Sequence, residues 1–178
     1  MREQARNQVR RSEPSRYATR EDFLNVFSED KAGLYQLSFL LTGDREKAEK
    51  CVVAGIEDCV NENRVFREWA RSWAKRIIVE SAIRELKPRP SLPNSSSVAT
   101  ILSPSEESSA SAGNFDVDAV LGLGDFERFV FVMSVLEHYS QHECALLLGC
   151  PVMEVRQGRF HALKALAGSS HAVSLAPE

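Results

Sequence analysis

The sequence predicts an all-α protein of two small helical domains joined by a flexible linker. Three observations carry that expectation. Between about residues 19 and 86, apolar residues recur at i, i+3, i+4, i+7 and i+8, the stripe of a helix packed against neighbours. A stretch rich in Ser and Pro, opening with Lys87-Pro88-Arg89-Pro90-Ser91-Leu92-Pro93, then breaks the pattern. Proline withdraws helical donors and serine adds no core, so this stretch reads as a linker. Helical periodicity resumes from about Ala119 to Ala167. The 178 residues divide into a flexible basic arm over 1–18, a first domain over 19–87, a linker over 88–118, a second domain over 119–168 and a disordered tail over 169–178.

Each element follows from local signals. Residues 1–20 carry six arginines against Glu3 and Glu13, with too little apolar surface to offset the entropy of ordering. Such a segment is a solvated tail before it is a phosphate-seeking arm. Thr19 with Asp22 three residues on caps a first helix through Phe23, Val26 and Phe27. Leu34, Leu37, Phe39, Leu40 and Leu41 form a second helix that stops at Thr42-Gly43. Asp44 caps the third, whose stripe is Ala48, Cys51, Val52, Gly55, Ile56, Cys59 and Val60. A fourth helix is expected from just after Asn63 to about Leu86, with Phe66, Trp69, Ala70, Trp73 and Ile77 along one side; four helices on short loops make a bundle.

In the second domain, Phe126, Phe129, Val130, Met133, Val135 and Leu136 make one amphipathic helix. Ser140 with Glu143 is a capping box, opening a helix through Cys144, Ala145, Leu147 and Leu148 that ends at Gly149. Pro151 suits the first turn of a last helix carrying Val152, Val155, Arg156, Arg159, Ala162, Leu163 and Leu166. Gly158 weakens that helix's interior by roughly 1 kcal/mol.

Composition excludes several functions. The net charge of -3 is not that of a uniformly basic DNA coat. No apolar run approaches the roughly 20 residues that span a bilayer, and the charged N-terminus lacks the apolar stretch of a secretory signal. A cytoplasmic protein with no membrane insertion is expected. Cys51, Cys59, Cys144 and Cys150 lack the short gaps that place paired thiolates on zinc, so reduced, buried thiols are expected. His138 and His142 are separated by a helix boundary at Tyr139-Ser140, which argues against a metal site; no cofactor is implied. No glycine-rich phosphate loop or nucleophile motif appears, so an enzyme is the weakest class.

Two surfaces suit nucleic acid. A short helix, a glycine-containing turn and a basic helix have the sequence form of a helix-turn-helix, whose second helix lies in the major groove. Val152 opens that helix, Glu154, Arg156, Gln157 and Arg159 are its candidate base readers, and Lys164 is placed for phosphate. Arg can bond guanine twice and Gln adenine twice. The alternative is a helical hairpin packed against protein. In the fourth helix Arg64, Arg67, Arg71, Lys75 and Arg76 recur roughly along one face, with Trp69 and Trp73 between them. Cations hold phosphate and an exposed ring stacks on an unpaired base, whereas a buried Trp would be core.

These segments resemble the extracytoplasmic-function type of RNA polymerase sigma factor, within the sigma-70 family. Phe126-Glu127-Arg128-Phe129-Val130-Phe131-Val132, Leu136-Glu137-His138-Tyr139-Ser140 and Ala145-Leu146-Leu147-Leu148-Gly149-Cys150-Pro151-Val152 are similar to its region 4. Leu34-Tyr35-Gln36-Leu37, Leu40-Leu41-Thr42-Gly43-Asp44, Ala48-Glu49 and Phe66-Arg67-Glu68-Trp69 are similar to a divergent region 2, in which Lys50-Cys51-Val52-Val53-Ala54 replaces the family's polar clamp contacts. The resemblance implies a region-2-like bundle and a region-4-like helix-turn-helix. It further implies binding to core RNA polymerase through the β′ clamp and β flap, and promoter recognition. The upstream element then falls to the helix from Pro151 and the downstream element to Arg64, Arg67, Trp69, Arg71, Lys75 and Arg76. An anti-sigma factor is a further partner the resemblance allows. The other reading is a degenerate sigma-like regulatory module that has lost clamp binding.

Overall fold

A computed structural model describes residues 16–61, 64–90 and 116–172, with backbone alone at 169–172. Most of the expected basic arm and linker, and the end of the tail, lie outside the described residues. The chain is all-α. In the first group, α1 (Arg20–Glu29), α2 (Lys31–Thr42) and α3 (Arg45–Asn61) follow one another on tight corners. The capping box at Thr19 is formed: its hydroxyl accepts the Asp22 N–H at 3.2 Å, and the Asp22 carboxylate accepts the Thr19 N–H at 2.9 Å. Gly43 ends α2 at φ 66, a left-handed conformation that glycine adopts without a Cβ clash. Asp44 accepts the Lys47 N–H at 2.8 Å, and the buried Ser38 hydroxyl donates to the Ala48 carbonyl at 3.0 Å, tying α2 to α3.

The fourth helix, α4 (Ala70–Leu86), starts later than the sequence predicts. Residues 65–67 are instead pulled into a backbone ladder with 16–18: the Ala18 N–H donates to the Val65 carbonyl at 2.8 Å, and the Arg67 N–H to the Arg16 carbonyl at 3.0 Å. A single 3-10 turn, Arg67–Trp69, connects the ladder to α4. Arg64 and Arg67 are therefore not on a shared helical face with Arg71, Lys75 and Arg76. The α3–α4 crossing is close because α3 offers Gly55, where a β-carbon would come within 2.7 Å of Ile78 Cδ1.

The second group opens with α5 (Val117–Leu121), capped by Asp116. The amphipathic helix expected over 126–136 is divided in two. An α-helical part, α6 (Asp125–Phe131), is followed by a π-helical turn, Val132–Leu136, in which the Glu137 N–H donates to the Val132 carbonyl at 3.0 Å. Two helices complete the group: α7 (Gln141–Leu148) and α8 (Val152–Ala172), the latter extending past the expected end near Leu166. Gly158 does not interrupt α8. It is buried against α6, and a β-carbon there would lie 2.8 Å from Phe126 Cε1. The missing side chain is what lets the two helices approach.

One hydrophobic cluster runs through both groups, from Phe23, Leu34 and Ile78 to Phe129, Met133, Val155 and Ala162. At the junction, α2 packs on α5, α6 and the π turn, and α4 packs on α7. Arg128 of α6 is 6 % exposed there. Its guanidinium donates to the Leu41 carbonyl at the end of α2 (3.2 Å), to the Leu121 and Leu123 carbonyls (3.4 and 3.2 Å) and to Asp125 Oδ1 (2.6 Å). Burial pushes the Cys144 thiol up to about 11 and Cys59 to about 12, so both stay protonated and unreactive at neutral pH. Among the described residues no helix is long and apolar enough to cross a membrane.

Arg128→Met is expected to cost about 3 kcal/mol in urea unfolding, because three carbonyls lose a charged donor in a buried place. Gly158→Ala at an exposed helix site would gain about 1 kcal/mol, but here the clash with Phe126 reverses the sign and thermal unfolding moves to lower temperature.

Candidate nucleic-acid interface

The strongest candidate site is built on α7, the three residues Gly149, Cys150 and Pro151, and α8. Ser140 fixes the start of α7: its hydroxyl accepts the Glu143 N–H at 3.2 Å, and the Glu143 carboxylate accepts the Ser140 N–H at 2.8 Å. The Ser140 hydroxyl also donates to that carboxylate at 2.7 Å, and this bond, together with the one from the Ser140 N–H, holds the Glu143 carboxyl below the usual carboxylate range. Gly149 turns the chain at φ 65, and the Cys150 N–H donates back to the Ala145 carbonyl at 3.1 Å. Pro151 then starts α8 without sacrificing a needed donor.

Successive residues on a helix are set 100° apart, so α8 presents distinct faces. Val155, Gly158, Ala162 and Leu166 are buried. The sequence-predicted residues are spread around that seam. Arg159 is half-buried and Arg156 exposed on one flank, Lys164 is exposed on the side opposite the seam, and none of them pairs with an acid among the described residues. Glu154 and Gln157 line a groove of about 1130 Å³ on the other flank, whose facing wall is the end of α4 with Lys87, Pro88 and Arg89. Val152 is half-buried near the turn. The six residues are thus on one helix but not on one face. Sequence reasoning also missed Met153 and Phe160, which stand 58 % and 63 % exposed between the flanks. Their seven-residue spacing, two helical turns, puts them on one solvent face, a signal legible in the periodicity.

The second candidate surface surrounds the start of α4. Here the two tryptophans part ways. Trp69 is 56 % exposed and meets Phe66 edge-on at 5.2 Å, while Tyr17 stacks on the other side of Phe66 at 5.1 Å. Arg16 lies over the Phe66 ring at 5.9 Å. Trp73 instead packs half-buried against the core, and its indole N–H is buried without an acceptor among the described residues. A donor in that position costs about 1–3 kcal/mol. Tyr17 and Arg16 were expected in a flexible arm; the ladder to 65–67 places them beside Trp69.

The cations of this surface are largely engaged. Arg67 pairs with Asp22 at 2.7 Å, and Arg71 with Asp30 at 3.0 Å and Glu29 at 3.3 Å. Lys75 pairs with Glu137 at 2.8 Å, and Arg76 with Glu80 at 2.9 Å. Arg64 is exposed and has no such pair among the described residues. The row of cations that the sequence suggests is therefore much closer to neutral at its surface. Exposed pairs such as Arg71 with Glu29 contribute about 1 kcal/mol at most, so a polyanion can exchange for them, while Lys75 and Glu137 are partly buried. No protein-family model matches the chain, and no curated protein is significantly similar to it.

Trp73→Ala is expected to cost about 3 kcal/mol in chemical denaturation, and Trp69→Ala at most about 1, because only the first ring fills core space.

Proposed function

We propose that this chain is a sigma-factor-type transcription initiation protein, which binds core RNA polymerase and recognises promoter DNA through the α7–α8 pair. The observation that carries the reading is the set of exposed cations on α8. Arg156 and Lys164 are exposed on a continuous helix, behind a capped helix and a left-handed glycine turn, with no acid paired to them among the described residues. A helix presented in that way fits a major groove about 12 Å wide, and free guanidinium groups are the commonest readers of guanine. The sequence resemblance to regions 2 and 4 supplies the polymerase and the promoter as partners. The Tyr17–Phe66–Trp69 array supports the same reading for the first group, since an exposed aromatic edge beside arginines suits an unstacked base.

A second reading is a sigma-like module that acts through protein contacts alone. Met153 and Phe160 favour it, because large apolar side chains on the same exposed face would gain from burial against a partner. Purified core polymerase and a promoter library separate the two: stable complex formation and start-site-specific transcripts support the first, and no complex at low salt rejects it. In duplex-binding titrations, Arg156→Ala with Arg159→Ala should weaken affinity at least tenfold. The same change should flatten the salt dependence by about one to two units of slope. Unchanged binding would move the DNA contact away from α8.

A further inference from the structure

The basic face of α4 is covered from within the chain. Glu137, at the end of the π turn, reaches from the second helical group, and Lys75 Nζ donates to its Oε2 at 2.8 Å. His138 follows in a left-handed conformation, φ 58, so the chain reverses sharply and Glu137 and Tyr139 line the same cleft. That cleft holds about 560 Å³, with Trp73, Lys75 and Arg76 on one wall and Glu137, Tyr139 and Glu143 on the other. Burial pushes the Tyr139 hydroxyl up to about 12, so it stays neutral, and the Ser140 bonds, with a smaller contribution from Arg76, keep Glu143 ionised.

We infer that the acidic edge from Glu137 to Glu143 is an intrachain mask, standing where the phosphates of a nucleic-acid strand would otherwise lie on α4. The inference rests on the nucleic-acid reading of that helix. Carboxylate and phosphate oxygens compete for the same ammonium donors, and a strand offers many phosphates where the mask offers two carboxylates. The contact is also incomplete. The indole N–H of Trp73 is left without an acceptor among the described residues in the covered state, so an incoming oxygen gains a donor that the mask does not use. Binding to α4 and withdrawal of the Glu137–Glu143 edge from it are then one coupled event, with each favouring the other.

Glu137→Gln in the full chain tests this, because it removes the charge of the mask and keeps its shape. Acetylation of Lys75, followed by mass spectrometry and normalised to the exposed Lys87, reads the mask directly. Anisotropy of a fluorescein-labelled single-stranded oligodeoxynucleotide over a salt series reads its consequence. The expected result is at least threefold faster labelling of Lys75 and three- to tenfold tighter binding. The salt slope should steepen by about 0.7, the share of one added phosphate contact on a single strand. Adding Lys75→Gln should abolish the gain. Unchanged labelling with unchanged affinity overturns the mask, as does faster labelling with equal affinity. If labelling rises and neither protein binds the oligonucleotide, the nucleic-acid reading of α4 fails and the masking role fails with it.

Discussion

The guanidinium of Arg128 is the point through which the two helical groups become one body. It is buried at the carbonyl end of α2 and beneath the end of α5, and it bonds three backbone carbonyls and one carboxylate. Helix C-termini present unsatisfied carbonyls and a partial negative charge, so a cation placed there answers both deficits together. A buried charge without such partners would carry a large desolvation penalty, which makes the position of α2 relative to α6 nearly obligatory. Gly43 belongs to the same arrangement: its left-handed turn ends α2 beside the guanidinium, and a β-carbon there would sit 3.5 Å from it.

That junction brings charges together that lie far apart in the chain. Lys75 faces Glu137 because α4 packs on α7 in the same body that Arg128 closes. The electrostatics of the two proposed nucleic-acid surfaces therefore differ in kind. On α8 the cations have no acidic partner among the described residues, and the helix is packed from behind through the buried Val155, Gly158 and Ala162. On α4 the cations are already bonded to carboxylates, whereas Arg64 and Trp69 are exposed at its start. A polyanion would meet the first surface ready and the second only after exchange.

The helix inventory was largely legible from short-range signals. Thr19 with Asp22, Ser140 with Glu143, and glycines at 43 and 149 act within a few residues, so their consequences can be read without knowing the rest of the chain. Two of the expectations that needed correction share one cause, contact between residues distant in sequence. The ladder between 16–18 and 65–67 delays α4 and draws Tyr17 out of the expected arm. Gly158, read locally as a weak point, is a packing surface for Phe126, some thirty residues earlier. Neither partner carries a signal that names the other.

By itself the sequence determined the all-α class, the caps, the apolar stripes and the presence of a basic helix behind a glycine turn, because periodicity and capping are properties of neighbouring residues. Tertiary structure alone decided which tryptophan is core, which cations are neutralised, how the candidate residues of α8 are spread around its buried seam, and how Arg128 joins the groups. Those outcomes depend on distances across the fold, and charge and burial take their values only when the surfaces that share them have met.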